Sequence, residues 1–171
     1  MKNMFTGTLL VCLFAAVSVI IPVSAEKKYN NQSELMDDTI DKMFECMQEL
    51  DINPDVCGEL VLKNKNHNDK RYDNCKCIGP CVGKKMGTMD SVTGKWNWAK
   101  LEELSTLLEN ETLKNEAKLL HKHCFDEVNT HCVAGYAIMK CIMEHSEMAK
   151  DMIKNYLATR DDAQNEDKTA T

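Results

Sequence analysis

The sequence predicts an all-α fold stapled by disulfides, and three observations carry that prediction. Apolar residues recur at spacings of three and four along most of the chain, the repeat of one helix face. No useful length of sequence alternates apolar and polar residues as a half-buried strand would. Eight cysteines, at 46, 57, 75, 77, 81, 124, 132 and 141, follow a leader-like N-terminus. In an exported chain of this size they predict four disulfides, and spacing alone leaves roughly a hundred pairings open.

The N-terminus supports export. Lys2 precedes an apolar run from Leu9 to Ile21, 13 residues long; Pro22 breaks it, and Val23-Ser24-Ala25 supplies the small residues of a cleavage site. The run is shorter than the ~18–20 residues of a membrane span, so residues 1–25 read as a signal peptide cut after Ala25. Cys12 leaves with it, which makes the remaining cysteine count even. The expected organisation is one helical domain over 26–158 and a polar, disordered tail over 159–171. Of 21 basic side chains, removal of Lys2 leaves 20 against 27 acidic ones, a net charge of −7. That balance repels phosphate backbones and anionic headgroups and argues against nucleic acid as a partner.

The elements follow in order. Asn31, with Glu34 three residues on, starts a helix whose apolar stripe is Met36, Ile40, Met43, Met47 and Leu50, flanked by Phe44 and Cys46. Asn53-Pro54 opens a short second helix with Val56, Cys57, Leu60 and Val61. Lys63–Asn74 is a polar loop with only Tyr72 to bury. Cys77 and Cys81 share a helix face, with Pro80 marking either the start of that helix or a kink. Gly87 and Gly94 bracket a turn, after which Asn97 caps a helix bearing Trp98, Leu101, Leu104, Leu107 and Leu108. Asn110 opens another with Leu113, Ala117, Leu120 and Cys124. Beyond a turn at Asn129-Thr130, one long helix is expected from His131 toward Leu157. Asn31-Gln32-Ser33 and Asn110-Glu111-Thr112 are glycosylation sequons.

Six of the cysteines form a specific pattern. Thirty residues separate Cys46 from Cys77, three separate 77 from 81, forty-two 81 from 124, seven 124 from 132 and eight 132 from 141. The C-x3-C and C-x8-C intervals, the segment CIGPCVGKKMGTMDSVTGKWNWAKLEELSTLL from Cys77 to Leu108, and Cys132-x3-Tyr136-x4-Cys141 resemble the insect odorant-binding protein family. The resemblance spans about residues 33–157. It departs from the six-cysteine members in the extra pair Cys57 and Cys75, and the interval between 124 and 132 is slightly short.

The resemblance implies a compact bundle of six to seven helices around a closed apolar cavity. It also implies disulfides Cys46–Cys81, Cys77–Cys132 and Cys124–Cys141, with Cys57 and Cys75 as a fourth pair and an exchange of roles between Cys75 and Cys77 left open. The function it implies is reversible, non-covalent carriage of small apolar, odorant- or pheromone-like ligands. A membrane chemoreceptor would be the further partner, and a homodimer is one open oligomeric state. Nine methionines after the leader offer flexible, polarizable lining. The candidate wall residues are Met43, Phe44, Met47, Met86, Met89, Leu101, Leu104, Tyr136, Met139 and Met143, with the Tyr136 phenol available to hydrogen-bond a ligand.

Other readings compete. His121, His123 or His131, near the last cysteines, could act as a pH switch on the pocket wall. Cys75, Cys77 and Cys81 could mimic a zinc cluster, but export favours oxidised cysteines, and no metal or cofactor is expected. The residue types of a secreted phospholipase occur near His121-Lys122-His123-Cys124-Phe125-Asp126 without its order, and there is no Gly-x-Ser-x-Gly elbow; no enzyme is expected. The alternative outside olfaction is a venom, gland or defence protein on the same scaffold.

Overall fold

Asparagine opens four of the helices. In the computed structural model, which describes residues 27–62 and 64–155, the side chains of Asn31, Asn53, Asn97 and Asn110 each accept from backbone N–H groups of the first turn. Each such cap contributes about 0.5–2 kcal/mol and sets the register of the helix behind it. The helices are α1 (Gln32–Glu49), α2 (Pro54–Gly58), α3 (Asp73–Lys76), α4 (Ile78–Met86), α5 (Trp98–Ser105), α6 (Glu111–His123) and α7 (His131–His145). Single 3-10 turns at Glu59–Val61 and Lys70–Tyr72 complete the short stretch between α2 and α3. The expected leader over 1–25 and tail over 159–171 lie outside the described residues. No described helix is long and apolar enough to cross a membrane.

α4 is the central element, packed against α1 on one side and α7 on the other. Disulfides Cys46–Cys81 and Cys77–Cys132 tie it to each of them, while Cys124–Cys141 holds the end of α6 to α7 and Cys57–Cys75 joins α2 to α3. Gly135 permits the close crossing of α4 and α7. A Cβ there would sit 2.3 Å from Pro80 Cδ and 2.7 Å from the Lys76 carbonyl oxygen. Pro80 lies in the first turn of α4, where a missing N–H costs little, so no kink is needed. Gly87, at φ 74°, ends that helix in the left-handed conformation. Among the described residues, extended pairing is confined to the isolated bridge between Met89 and Trp96, which closes the turn containing Gly94 at φ 67°.

Three sequence expectations change. The long C-terminal helix is broken at Ser146, which is buried and extended; its Oγ accepts from the Ala149 N–H at 3.0 Å and so caps a separate helical segment over 147–155. The polar loop is partly helical, because Tyr72 at 0 % exposure draws its C-terminal half inward. The stripe of α1 is not its buried face: Met36, Ile40 and Met43 are about two-fifths exposed, and Leu35 and Cys46 are the buried positions. Cys46, on the buried side of α1, is the residue bonded to Cys81 of α4, and the stripe runs along the flank.

Candidate ligand-binding site

The helix packing leaves a hollow of about 480 Å³ between α1, α4, α5 and α6. α1 supplies Leu35, Met36, Thr39 and Met43; α4 supplies Ile78, Gly79, Val82, Gly83 and Met86. Thr88 and Trp96 come from the turn, Leu101, Leu104 and Ser105 from α5, Leu108 from the segment behind it, and Ala117 from α6. The volume lies in the range of sites that take small molecules, and the lining is almost wholly apolar. Among the described residues the hollow is open-sided rather than closed. Its mouth follows the flank of α1, where Met36 and Met43 are 42 % and 39 % exposed.

Gly83 lets the turn lie directly on α4. A Cβ at that position would meet Trp96 Cζ3 at 2.8 Å and Met89 Cβ at 3.2 Å. The Trp96 indole N–H donates to the Ala134 carbonyl at 3.3 Å, which locks the ring as part of the wall. The Thr39 hydroxyl donates to the Leu35 carbonyl at 2.7 Å, and that of Ser105 to the Glu102 carbonyl at 2.7 Å. Thr88 donates to the Gly83 carbonyl at 3.3 Å.

Of the sequence-proposed wall residues, Met43, Met86, Leu101 and Leu104 line this hollow. Phe44 and Met47 do not. Phe44 falls about 180° round α1 from Leu35 at 3.6 residues per turn, and Phe44 and Met47 line a separate depression of about 300 Å³ with Gln48, Asp51 and Ile52. Met89 is buried at 2 % exposure, its backbone paired with that of Trp96, and does not line the hollow. Tyr136 and Met139 pack on a different cluster, formed by Leu60, Tyr72 and Cys75. There the Tyr136 phenol is 2.9 Å from His67 Nδ1, while His67 Nε2 is 2.9 Å from the Leu62 carbonyl. With Nε2 donating to that carbonyl, Nδ1 accepts from the phenol, which is therefore already engaged. Met143 on α7 is half-buried and lines neither depression.

Sequence reasoning missed Leu35, Thr39, Ile78, Val82 and Trp96. Leu35 and Thr39 lie on α1 beside the apolar stripe, at i and i+4, a signal masked by the more numerous methionines. The histidines stand apart from the hollow. His121 packs edge-on to Trp98 and Phe125, His123 stacks on His145 at 4.7 Å, and His131 Nδ1 is 3.1 Å from Lys84 Nζ. Cys75, Cys77 and Cys81 are each oxidised with a different partner and offer no thiolate to a metal.

Cross-linked helices around an apolar hollow give the described residues the geometry of a small-molecule binding site. Residues 28–145 match the PBP/GOBP family, and the chain belongs to that family, whose members are secreted, soluble odorant-binding carriers. The fold is similar to that of the medfly odorant-binding protein CcapOBP22/CcapOBP69a, at 20% identity and TM-score 0.51, over 68% of this chain and 95% of that one. It is also similar to the Locusta migratoria odorant-binding protein lmigOBP1, at 18% identity and TM-score 0.50, over 78% of this chain and 97% of that one. No curated protein matches the sequence.

Proposed function

We propose that this protein is a secreted carrier that holds small apolar, odorant- or pheromone-like molecules reversibly in the hollow beside α1 and α4, for delivery toward a membrane chemoreceptor. The observation that carries the reading is the hollow itself: about 480 Å³ of apolar-walled space in a chain of the odorant-binding family. Met43, Met86, Leu101 and Leu104 are the contact residues inherited from the sequence, joined by Leu35, Val82 and Trp96. Burying about ten ligand methylenes at about 0.8 kcal/mol each gives about 8 kcal/mol gross. Micromolar affinity corresponds to about 8 kcal/mol, so ordering costs leave a ligand that can also be released.

Competition measures this directly. The oxidised protein should bind a neutral phenyl-naphthylamine probe saturably in the micromolar range, and members of a panel of volatile apolar compounds should displace it. Absence of saturable probe binding, with all four disulfides intact, would refute the reading.

A further inference from the structure

The wall of the hollow has a one-sided hydrogen-bonding character. Four of its side chains carry a polar hydrogen: Thr39, Thr88, Ser105 and Trp96. Each of those hydrogens has an acceptor within the protein itself, on the carbonyls of Leu35, Gly83, Glu102 and Ala134 respectively, with Met86 Sδ a second acceptor for Thr39 at 3.5 Å. The three hydroxyl oxygens keep lone pairs that can accept. No lysine, arginine or histidine is among the described residues of the wall.

From this we infer that the hollow sorts ligands by their polar group: it takes uncharged, hydrocarbon-rich molecules bearing a hydroxyl and turns away carboxylates of the same chain length. The inference rests on the carrier reading and names its ligand class. A ligand hydroxyl can donate to Thr39 or Ser105 without disturbing the bonds those residues already make. A carbonyl or ether oxygen finds no side-chain hydrogen to replace the water it loses. A carboxylate fares worse, since it leaves water carrying a charge and meets neither a cation nor an available side-chain donor. A hydroxyl that turned to serve it would give up the hydrogen bond it already makes.

Probe displacement by decanol, decanal and decanoate separates the cases. At pH 8 decanoate is expected to bind at least about tenfold more weakly than decanol, as an unpaired charge entering an apolar site must. Decanal should fall about threefold to tenfold below decanol, the value of one hydrogen bond. Lowering the pH through the acid's own pKa should close the gap between decanoic acid and decanol. Met43→Lys, at a mouth position where folding is not at stake, should raise decanoate affinity at least about threefold relative to decanol by supplying a partner charge.

Decanoate equal to decanol at pH 8 would overturn the inference and point instead to the N-terminal amides of α4 beside Ile78 and Gly79. Decanal equal to decanol, or a Met43→Lys protein indifferent to decanoate, would also overturn it. A protein that binds no probe fails the carrier reading rather than this one.

Discussion

Two apolar regions of the molecule, built from similar residues, end in opposite states. Around Leu60, Tyr72 and Cys75, with Val56, Cys57, Tyr136 and Met139 packed on them, the space is filled; Tyr72 and Leu60 are 0 % and 2 % exposed. Between α1, α4, α5 and α6 it is left empty. The filled region has an aromatic ring at its centre, a disulfide within it, and a polar clamp over it. Glu59 accepts from the Tyr72 phenol at 2.7 Å and from Arg71 at 2.6 Å, with Lys65 at 3.3 Å. That phenol, then Lys65 and Arg71, holds the Glu59 carboxyl below the usual carboxylate range. The hollow is walled mainly by leucine, isoleucine, valine and methionine side chains with Trp96, and its central helix α4 is tethered at Cys81 to α1 and at the adjoining Cys77 to α7. Small chains fold stably when part of the entropy cost is met by cross-links, so an unfilled region can be tolerated elsewhere.

Substitutions can break this contrast. Tyr72→Ala removes the centre of the filled region and should cost about 3–5 kcal/mol in chemical denaturation, while probe affinity of the folded protein stays unchanged. Replacing Cys57 and Cys75 together by alanine opens a bridge across a separation of 18 residues. The loss should be about 3 kcal/mol if it follows loop entropy, again with the hollow intact. Leu104→Ala, on the wall, should cost only about 2 kcal/mol, the lower end for such a truncation, yet weaken probe binding several-fold. A Leu104 variant as damaging to stability as Tyr72→Ala would mean that the two regions are packed alike.

The smallest effect concerns a strap along α1. Lys27 donates to Asp38 Oδ1 at 2.6 Å and the Tyr29 phenol to Oδ2 at 2.7 Å, and these two bonds, in that order, hold the Asp38 carboxyl below the usual range. Because the folded pKa is the lower one, the stabilisation is present in full above the unfolded value of about 4 and is lost as pH falls through the folded one. Asp38→Asn should therefore cost less than about 1 kcal/mol at pH 7. The difference between variant and parent should fade on acidification below pH ~4; a difference that persisted at lower pH would show that the bonds do not depend on the charge.

Much of the fold was legible because its signals are local. Asn31, Asn53, Asn97 and Asn110 announce helix starts within a single turn, and each is a cap in the structure. Three disulfides have the pairing implied by the family resemblance, and the fourth joins the two remaining cysteines, Cys57 and Cys75. Ser146 escaped notice because its capping role depends on burial, not on the apolar repeat around it. The wall was half legible. Met43, Met86, Leu101 and Leu104 are apolar at helical spacing, and so are Phe44, Met139 and Met143, which lie elsewhere. Periodicity says that a face is apolar; how α1 packs on α4, with Cys46 bonded to Cys81, decides what that face meets. Tyr136 is drawn away by His67, a partner 69 residues distant that no local pattern reveals.

Tryptophan offers the most direct measurement. The chain has two, Trp96 in the wall of the hollow and Trp98 outside it, packed on His121 and Phe125. A Trp98→Phe protein therefore reports from the hollow alone. Titration with a bromine-bearing long-chain alcohol should quench Trp96 saturably, with the midpoint at which the same alcohol displaces the fluorescent probe. Displacement of the probe with Trp96 emission unchanged would place the ligand elsewhere, and the hollow would not be the carrier's site.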